Sequence, residues 1–449
     1  MKFGIIGGGS TYTPELVREL CRHPRLHATG IALMDIDGQR LDIVGNFIRR
    51  VIEPEFPDVE ITLTEDRAEA ITGASYVISS IRPGGNEQRL LDEQIPFDMG
   101  LYPSETHGPG GFAFALRVIP PMVEIAQDVA RYAPDAWLIN VTNPTGMVSQ
   151  AVLQNTHAKS VGVCHAGITI LPHIAAVLGV PVERVSVRYT GLNHLGWILG
   201  VFIDGKELAR DKVAEVFAQE ADRLGRSIEF IGDPDLYRLW RWPLWSLDYR
   251  ATTYTWQRQT REYQKKGKIR AHEVLEIEKT MLEVMSRSSS LEELIHATPG
   301  RGGSRVEQGR MYGPSGYTPG VLTTIDSLEN DGNTLMALNV RNGGAISDLP
   351  DDVAVETSVL VRRDTIWPLA VGHLPPEIRG TVQIHKAYET LTIEAALTGS
   401  YEAALKALTI HPMVGNYDVA RELLDKYLEA HRAFLPFWST TPVGSVMVQ

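Results

Sequence analysis

Residues 2–22 read KFGIIGGGSTYTPELVRELCR, and the fold turns on this stretch. Lys2 to Ile6 is a short apolar run with the length of a buried strand. Gly7, Gly8 and Gly9 end it, Ser10, Thr11 and Tyr12 follow, and Pro14 opens the helical pattern PELVRELCR. Proline suits a first helical turn, where its missing N–H would have no partner anyway. Strand, glycine turn and helix make the start of a βαβ unit. Such a turn lets the backbone approach a pyrophosphate, which then lies at the positive end of the helix.

The pattern repeats further along. Gly30 to Met34 is a second apolar run, ended by Asp35-Ile36-Asp37 and followed by the helical GQRLDIVGNFIRRVIE. Val59 to Leu63, Tyr76 to Ser80, Ala136 to Asn140 and Ser160 to Cys164 read as further strands, with helices at AEAIT and over Val118 to Tyr132. Strands alternating with helices, each strand ending in polar or glycine-rich residues, predict an α/β protein with a doubly wound, Rossmann-like parallel sheet. Ligands of such sheets bind at the C-terminal strand ends. After about residue 195 the texture changes. Extended pieces flank GLNHLGW, helices fill most of 207–295, strands return over 335–361, and two or three helices close the chain. We therefore expect a cofactor-binding domain over 1–195. A second α+β lobe over 196–449 is expected to bind substrate and form oligomers.

The chain's 449 residues exceed one typical domain, and its 43% hydrophobic and 22% charged content is that of a globular enzyme. Forty-three Lys and Arg against 55 Asp and Glu give a net charge of -12, which argues against nucleic acid as a partner. Two cysteines cannot build a disulfide framework, and neither a secretory signal nor a long apolar run is seen, so a cytoplasmic protein off the membrane is expected.

Gly7 and Gly9, with Ser10 and Thr11, do not complete the G-x-G-x-x-G pattern, since Tyr12 takes its last position. Asp35, 26 residues after Gly9, ends the second strand where a carboxylate accepts from ribose hydroxyls, and it would repel a 2′-phosphate. NAD is thus favoured over NADP. A plain βα turn capped by Ser or Thr would look the same. Arg40 and Asn140 join the cofactor-binding candidates. Asn143, in Asn140-Val-Thr-Asn143-Pro-Thr, fits either a ligand contact or an ordinary Asn-Pro turn. Cys164-His165 ends one strand and Asn193-His194 lies in GLNHLGW. Cys and His suit a divalent transition metal, although each alone is more often a core or surface residue.

Several segments, in order, together resemble glycoside hydrolase family 4. They are IGGGSTYTPELV, RPGGNEQRLLDEQIP at 82–96, SETHGPGGFAFALRVIP at 104–120, NVTNPTGMV at 140–148, VGVCHAGI at 161–168, GLNHLGW at 191–197 and NVRNGGAISDLPDDVAVE at 339–356. The resemblance implies a lactate/malate dehydrogenase-like fold that cleaves glycosides with NAD and a divalent metal, commonly manganese. The implied chemistry is oxidation at C3, loss of the C2 proton to a base, elimination at C1, water addition and re-reduction. It stands outside the two-carboxylate glycosidase scheme. By motif, Cys164 and His194 would be metal ligands. Arg89, Glu105, Asn143, His165 and Asn193 would line the sugar pocket, although Arg89 also fits a surface i,i+4 pair with Glu93 and Glu105 a solvated loop acid. The base would come from WSLDYRATTYTW, as Tyr249 or Tyr254 with Asp248 as rival, a stretch that departs from the family pattern and equally fits aromatic packing.

Cys164-His165 resembles the α-glucosidase, α-galactosidase and α-uronide branches. Arg82 and Arg89 resemble the phosphoglycosidase side, and Ser104 stands where Gln is usual. Arg301, Arg305 and Arg310, with Tyr312 and Tyr317, add cations and aromatics in a Gly-rich stretch. Our reading is an α-glycoside of a hexose with an anionic C6 group, a sulfoquinovoside or uronide, with a 6-phosphoglycoside as the alternative. Two other classes compete: an NAD-dependent 2-hydroxyacid dehydrogenase, and an NAD-binding sensor. Family members are usually dimers or tetramers, so a homodimer or homotetramer is expected.

Overall fold

The glycine turn forms at the centre of a sheet. The computed structural model describes residues 1–106, 108–223, 234–241, 244–245, 249–297, 317–436 and 438. The first part runs β1 (Lys2–Ile6), α1 (Thr13–Arg22), β2 (Gly30–Met34), α2 (Gly38–Val51), β3 (Glu60–Thr64), α3 (Arg67–Ile71) and β4 (Tyr76–Ser79). It continues with α4 (Gly85–Asp98), α5 (Pro109–Tyr132), β5 (Trp137–Asn140), α6 (Thr145–Asn155), β6 (Lys159–Gly162), α7 (His165–Ile168) and α8 (Ile170–Leu178). Strands β1 to β6 are all parallel and lie in the order 3-2-1-4-5-6, the dinucleotide-binding arrangement, with its switch point between β1 and β4.

The second part adds β7 (Val185–Leu192), β8 (Leu195–Ile203), β9 (Lys206–Glu207), α9 (Arg210–Arg223), α10 (Pro234–Trp240), β10 (Leu244–Trp245), α11 (Tyr249–Lys266) and α12 (Arg270–Arg287). Then come α13 (Leu291–Ala297), α14 (Thr318–Asn330), β11 (Thr334–Arg341), β12 (Ala354–Arg362), β13 (Thr365–Pro368), α15 (Pro376–Thr398), α16 (Tyr401–Ile410) and α17 (Tyr417–Ala430). Its strands extend the first sheet. β11 runs antiparallel beside β6, β12 lies next, and the β7–β8 hairpin follows, so the described strands form one sheet. One apolar cluster joins α1, α2, α12 and α14 to the sheet, and a second joins α3, α5, α6 and the three last helices. Each fully buried Leu, Ile or Phe in them is worth about 1.5–3 kcal/mol.

The sequence reading differs most at α5, which starts at Pro109 rather than Val118. Gly110-Gly111 looks like a loop signal, yet the glycines serve close packing here. A Cβ on Gly110 would lie 2.6 Å from the Ser104 carbonyl oxygen, and one on Gly111 would lie 2.2 Å from that of Thr106. The helix N-terminus is thus pressed against the 104–106 loop. Strand β6 also ends earlier than expected, at Gly162, leaving Val163 and Cys164 beyond it.

Gly111→Ala should therefore destabilise the fold by roughly 1–3 kcal/mol through overpacking. Gly380→Ala, in the body of α15 with nothing within 4 Å of the new methyl, should stabilise it by roughly 0.5–1 kcal/mol. Thermal unfolding of the two variants should shift in opposite directions.

Candidate active site

The turn after β1 is held by two N–H groups, Gly7 and Gly8, donating to the Met34 carbonyl at 2.9 and 2.7 Å. Gly7 has φ +90°, and a Cβ there would meet the Ser80 carbonyl at 2.1 Å, so only glycine fits. Asp35 accepts from Gly9 N–H at 2.9 Å and from Asp37 N–H at 3.1 Å. Arg40 Nε donates to the Gly9 carbonyl at 2.9 Å, and its guanidinium pairs with Glu278 of α12. Gly7, Gly9, Asp35 and Arg40 are thereby brought together, with Ser10 and Thr11 in the same turn. Ile36, between the two aspartates, is 84% exposed. It offers an apolar surface beside a dinucleotide turn, and the sequence reading passed over it. Asn140 is bonded to its own neighbours. Its Oδ1 accepts from Ser79 Oγ and Thr142 N–H, and its Nδ2 donates to Ser149 Oγ, so it ties strand ends β4 and β5 to α6.

Cys164 and His194 are buried, and Sγ lies 3.2 Å from Nε2. His194 is one of the two residues that turn the β7–β8 hairpin, with φ 60°. That left-handed backbone costs a non-glycine residue roughly 1–3 kcal/mol, a strain typical of functional positions. A single row of paired residues prepares the meeting. Gly162 of β6 faces Asn339 of β11, which faces Glu356 of β12, which faces Gly191 of β7. At about 4.8 Å per strand spacing, β6 and β7 stand about 14 Å apart on this row. The chain therefore curls inward beyond the two glycines to bring Cys164 against His194.

Glu356 anchors that curl. It is fully buried and accepts from Tyr189 Oη at 2.6 Å, Asn193 Nδ2 at 2.9 Å and Asn339 Nδ2 at 3.0 Å. Burial raises its carboxyl above the usual range, while these donors and the nearby His194 hold it back. The turn at Asn143 is tied to the same place. Gly146 packs against Asn193, and Asn143 Oδ1 accepts from Thr145 Oγ1. His165 follows Cys164 at the start of α7.

The third group is a charge cluster. Arg89 is buried, which overturns the surface reading of its i,i+4 pair with Glu93. Its Nε lies 2.7 Å from Glu93 Oε1 and 3.0 Å from Glu105 Oε2, and Arg82 Nη2 lies 3.1 Å from Glu105 Oε2. Glu105 is partly buried rather than solvated. Desolvation opposes its charge, yet Arg89 and Arg82 hold its carboxyl below the ordinary range, with a contribution from His194 that places cluster and Cys–His pair within electrostatic reach. Arg82 Nη1, Ser104 Oγ and Asn193 Oδ1 are buried without a hydrogen-bond partner among the described residues. Unpaired buried donors and acceptors are costly, so these atoms point to a polar ligand.

Of the candidate bases, Asp248 lies outside the described residues. Tyr249 and Tyr254 sit on α11, and their side chains also lie outside them, as do Arg301, Arg305, Arg310 and Tyr312.

A Rossmann-type sheet carrying a Cys–His pair and a buried arginine cluster defines a dinucleotide-binding type of enzyme fold with a polar ligand site. The chain belongs to family 4 of the glycosyl hydrolases: residues 2–180 match the Family 4 glycosyl hydrolase model and residues 189–414 its C-terminal domain. It is 36% identical to a probable 6-phospho-beta-glucosidase of Bacillus subtilis (strain 168), over 97% of both chains. The 6-phospho-beta glucosidase of Thermotoga maritima, solved with NAD and glucose-6-phosphate, is 31% identical with TM-score 0.82, over 97% of this chain and 99% of that one. A 6-phospho-alpha-glucosidase from gut microorganisms, solved with NAD and Mn2+, is 25% identical with TM-score 0.83, over 98% and 99%. Plasmodium falciparum malate dehydrogenase, at 13% identity and TM-score 0.51 over 88% of this chain and 98% of that one, shares the fold. These relatives favour the 6-phosphoglycoside alternative over the sulfoquinovoside or uronide reading.

The Cys–His pair fits a metal. Donors 3.2 Å apart can share one ion at ordinary bond lengths of about 2.0–2.3 Å. Among the described residues no cluster of three or more His, Cys, Asp or Glu is arranged for an ion. His194→Gly should abolish Mn2+ binding at little cost to the fold, because glycine takes the left-handed turn without strain. Glu356→Gln, which sets a donor among donors, should weaken Mn2+ binding by about 10–100-fold and lower the unfolding temperature. Equilibrium dialysis reads both, and wild-type affinity in His194→Gly would rule out the metal assignment.

Proposed function

We propose that this enzyme hydrolyses glycosides of a 6-phosphorylated hexose, using NAD and a divalent metal, with manganese as first choice. The observation that carries the reading is Arg82 Nη1, a buried guanidinium N–H without a hydrogen-bond partner among the described residues, beside Arg89 and within electrostatic reach of the Cys–His pair. A phosphate oxygen suits that donor. The names of the relatives point the same way.

In this reading Gly7, Gly9, Ser10, Thr11, Asp35 and Arg40 hold NAD, and Cys164 and His194 hold the metal. When bound, NAD carries hydride and the metal polarises sugar oxygens as a Lewis acid. The remaining work falls to the chain. Arg82 and Arg89, kept in place by Glu105, orient the C6 anion. Asn143, His165 and Asn193 meet hydroxyls around the metal. Tyr249 takes the C2 proton, with Tyr254 and Asp248 as the other groups of that segment. A second reading, a uronide or sulfoquinovoside, draws on His165 following Cys164.

A panel of aryl glycosides tests the proposal. It comprises α- and β-glucoside, their 6-phosphates, a glucuronide and a sulfoquinovoside, assayed with NAD+ and Mn2+. Phenol release from a 6-phosphoglucoside is expected, lost without NAD+ or with chelator, and with no net NADH. Arg82→Ala should raise KM for that substrate by about 10–100-fold, the loss of a charge-assisted hydrogen bond. Release from the glucuronide or sulfoquinovoside alone would select the second reading. Stoichiometric NADH from a hydroxyacid would make the chain a dehydrogenase.

A further inference from the structure

Glu93 is unaccounted for by the reaction as described, yet it is 1% exposed and bonded into the arginine cluster. Its Oε1 accepts from Arg89 Nε, and its Oε2 accepts from the Ala271 N–H at 3.1 Å, in the first turn of α12. The single Nε–H of Arg89 thus faces two carboxylates, Glu93 at 2.7 Å and Glu105 at 3.0 Å. Glu105 has a second cation in Arg82. Among the described residues, Glu93 has its share of Arg89 and one backbone N–H.

The charge count of this cluster is the physical problem. Two guanidinium groups and two carboxylates balance. A substrate anion entering between the arginines leaves excess negative charge in a largely buried place, which is unfavourable unless one anion is discharged. Of the two carboxylates, Glu93 is the more deeply buried and the less well supported.

We propose that Glu93 is a positioning residue that holds Arg89 in the resting site and releases it to the substrate's anionic group, taking one proton from solvent as it does so. The proton bonds to a Glu93 carboxylate oxygen, the carboxyl becomes neutral, and the Arg89 charge passes to the ligand. The surroundings are consistent. Arg89 and Asp92 stand on α4, Arg82 and Glu105 on the adjoining loops, Tyr427 on α17, and Tyr12 near Arg89. Asp92 is itself occupied by Arg117 and His431. On α12, His272 follows Ala271. Burial, with Glu105 beside it, pushes the Glu93 carboxyl up to about 7 against the pull of Arg89. Below that pH the proton is already in place. Above it the proton must be taken up, so anion affinity should fall by up to about tenfold per pH unit.

The proposal rests on Arg82 and Arg89 binding the C6 anion, and the test separates the two ideas. Glucose 6-phosphate, glucose 6-sulfate and glucuronate are titrated calorimetrically into protein loaded with NAD+ and Mn2+. Buffers of different ionisation heat give the protons taken up from about pH 6 to about pH 8. The sulfate ester and the uronate do not titrate in this range, so their counts report the protein. Uptake should climb from near zero toward one proton per ligand and vanish in Glu93→Gln. No uptake by the wild type at about pH 8, or the same uptake in a folded Glu93→Gln, overturns the proposal. If that variant does not fold, the wild-type count decides alone. If glucose 6-phosphate fails to bind while another anion binds, the phosphate reading falls and the count with the other anion still decides. If none binds, both fall.

Discussion

A carboxylate shut away from water must find donors, and Glu356 finds three. They come from β7, from the hairpin turn after it, and from β11. Satisfying one buried acid therefore ties β7, β11 and β12 together, on the row that runs from Gly162 of β6 through Asn339 and Glu356 to Gly191. From that row the chain leaves β6 toward Cys164 and β7 toward His194. The pair's 3.2 Å separation is a consequence of the register, and the strained φ of His194 is sustained by it. Removing the acceptor would leave three buried donors without a partner, each at its own desolvation cost.

The same logic runs through the cation sites. Arg40 sits between the Gly9 carbonyl and Glu278, and Arg117 lies bidentate on Asp92, whose Oδ1 is also 2.9 Å from His431 Nε2. Arg82 and Arg89 share Glu105. Each guanidinium is aimed by a carboxylate before any ligand arrives, so little side-chain freedom is left to lose on binding. An overall acidic charge does not prevent a protein from binding a small anion, because that needs only a few fixed cations.

Much of this could be read from the chain, and the boundary is physical. β1, β2 and the turn between Gly7 and Asp35 announce themselves through local patterns: apolar runs, glycines at a tight bend, an acid at a strand end. Cys164 and His194 stood out by residue type, and resemblance to a family paired them. What escaped were groups defined by partners far along the chain. Glu356 and Asn193 are 163 residues apart, and Glu93 meets Ala271 178 residues away. No periodicity reports such a contact. The start of α5 was misread because Gly110 and Gly111, which usually signal a loop, are here the only residues small enough for the helix to touch the 104–106 segment. Asn140 shows the same limit, because a polar strand end looks alike in sequence whether it faces a cofactor or, as Asn140 does through its bonds to Ser79, Thr142 and Ser149, ties its own neighbours.

The order in which the chain is made adds one consequence. Residues 1–203 already contain the parallel strands, the glycine turn, Cys164 and His194. They lack the two strands, β11 and β12, that stand between β6 and β7. A nascent chain that has reached the hairpin cannot complete the row, since closing it awaits a partner more than 150 residues downstream. The thiol and imidazole thus come together late, once the chain has been made through β12. An unfinished chain carries Cys164 and His194 without the strands that bring them together, so the 3.2 Å pair forms only after β11 and β12 have been made.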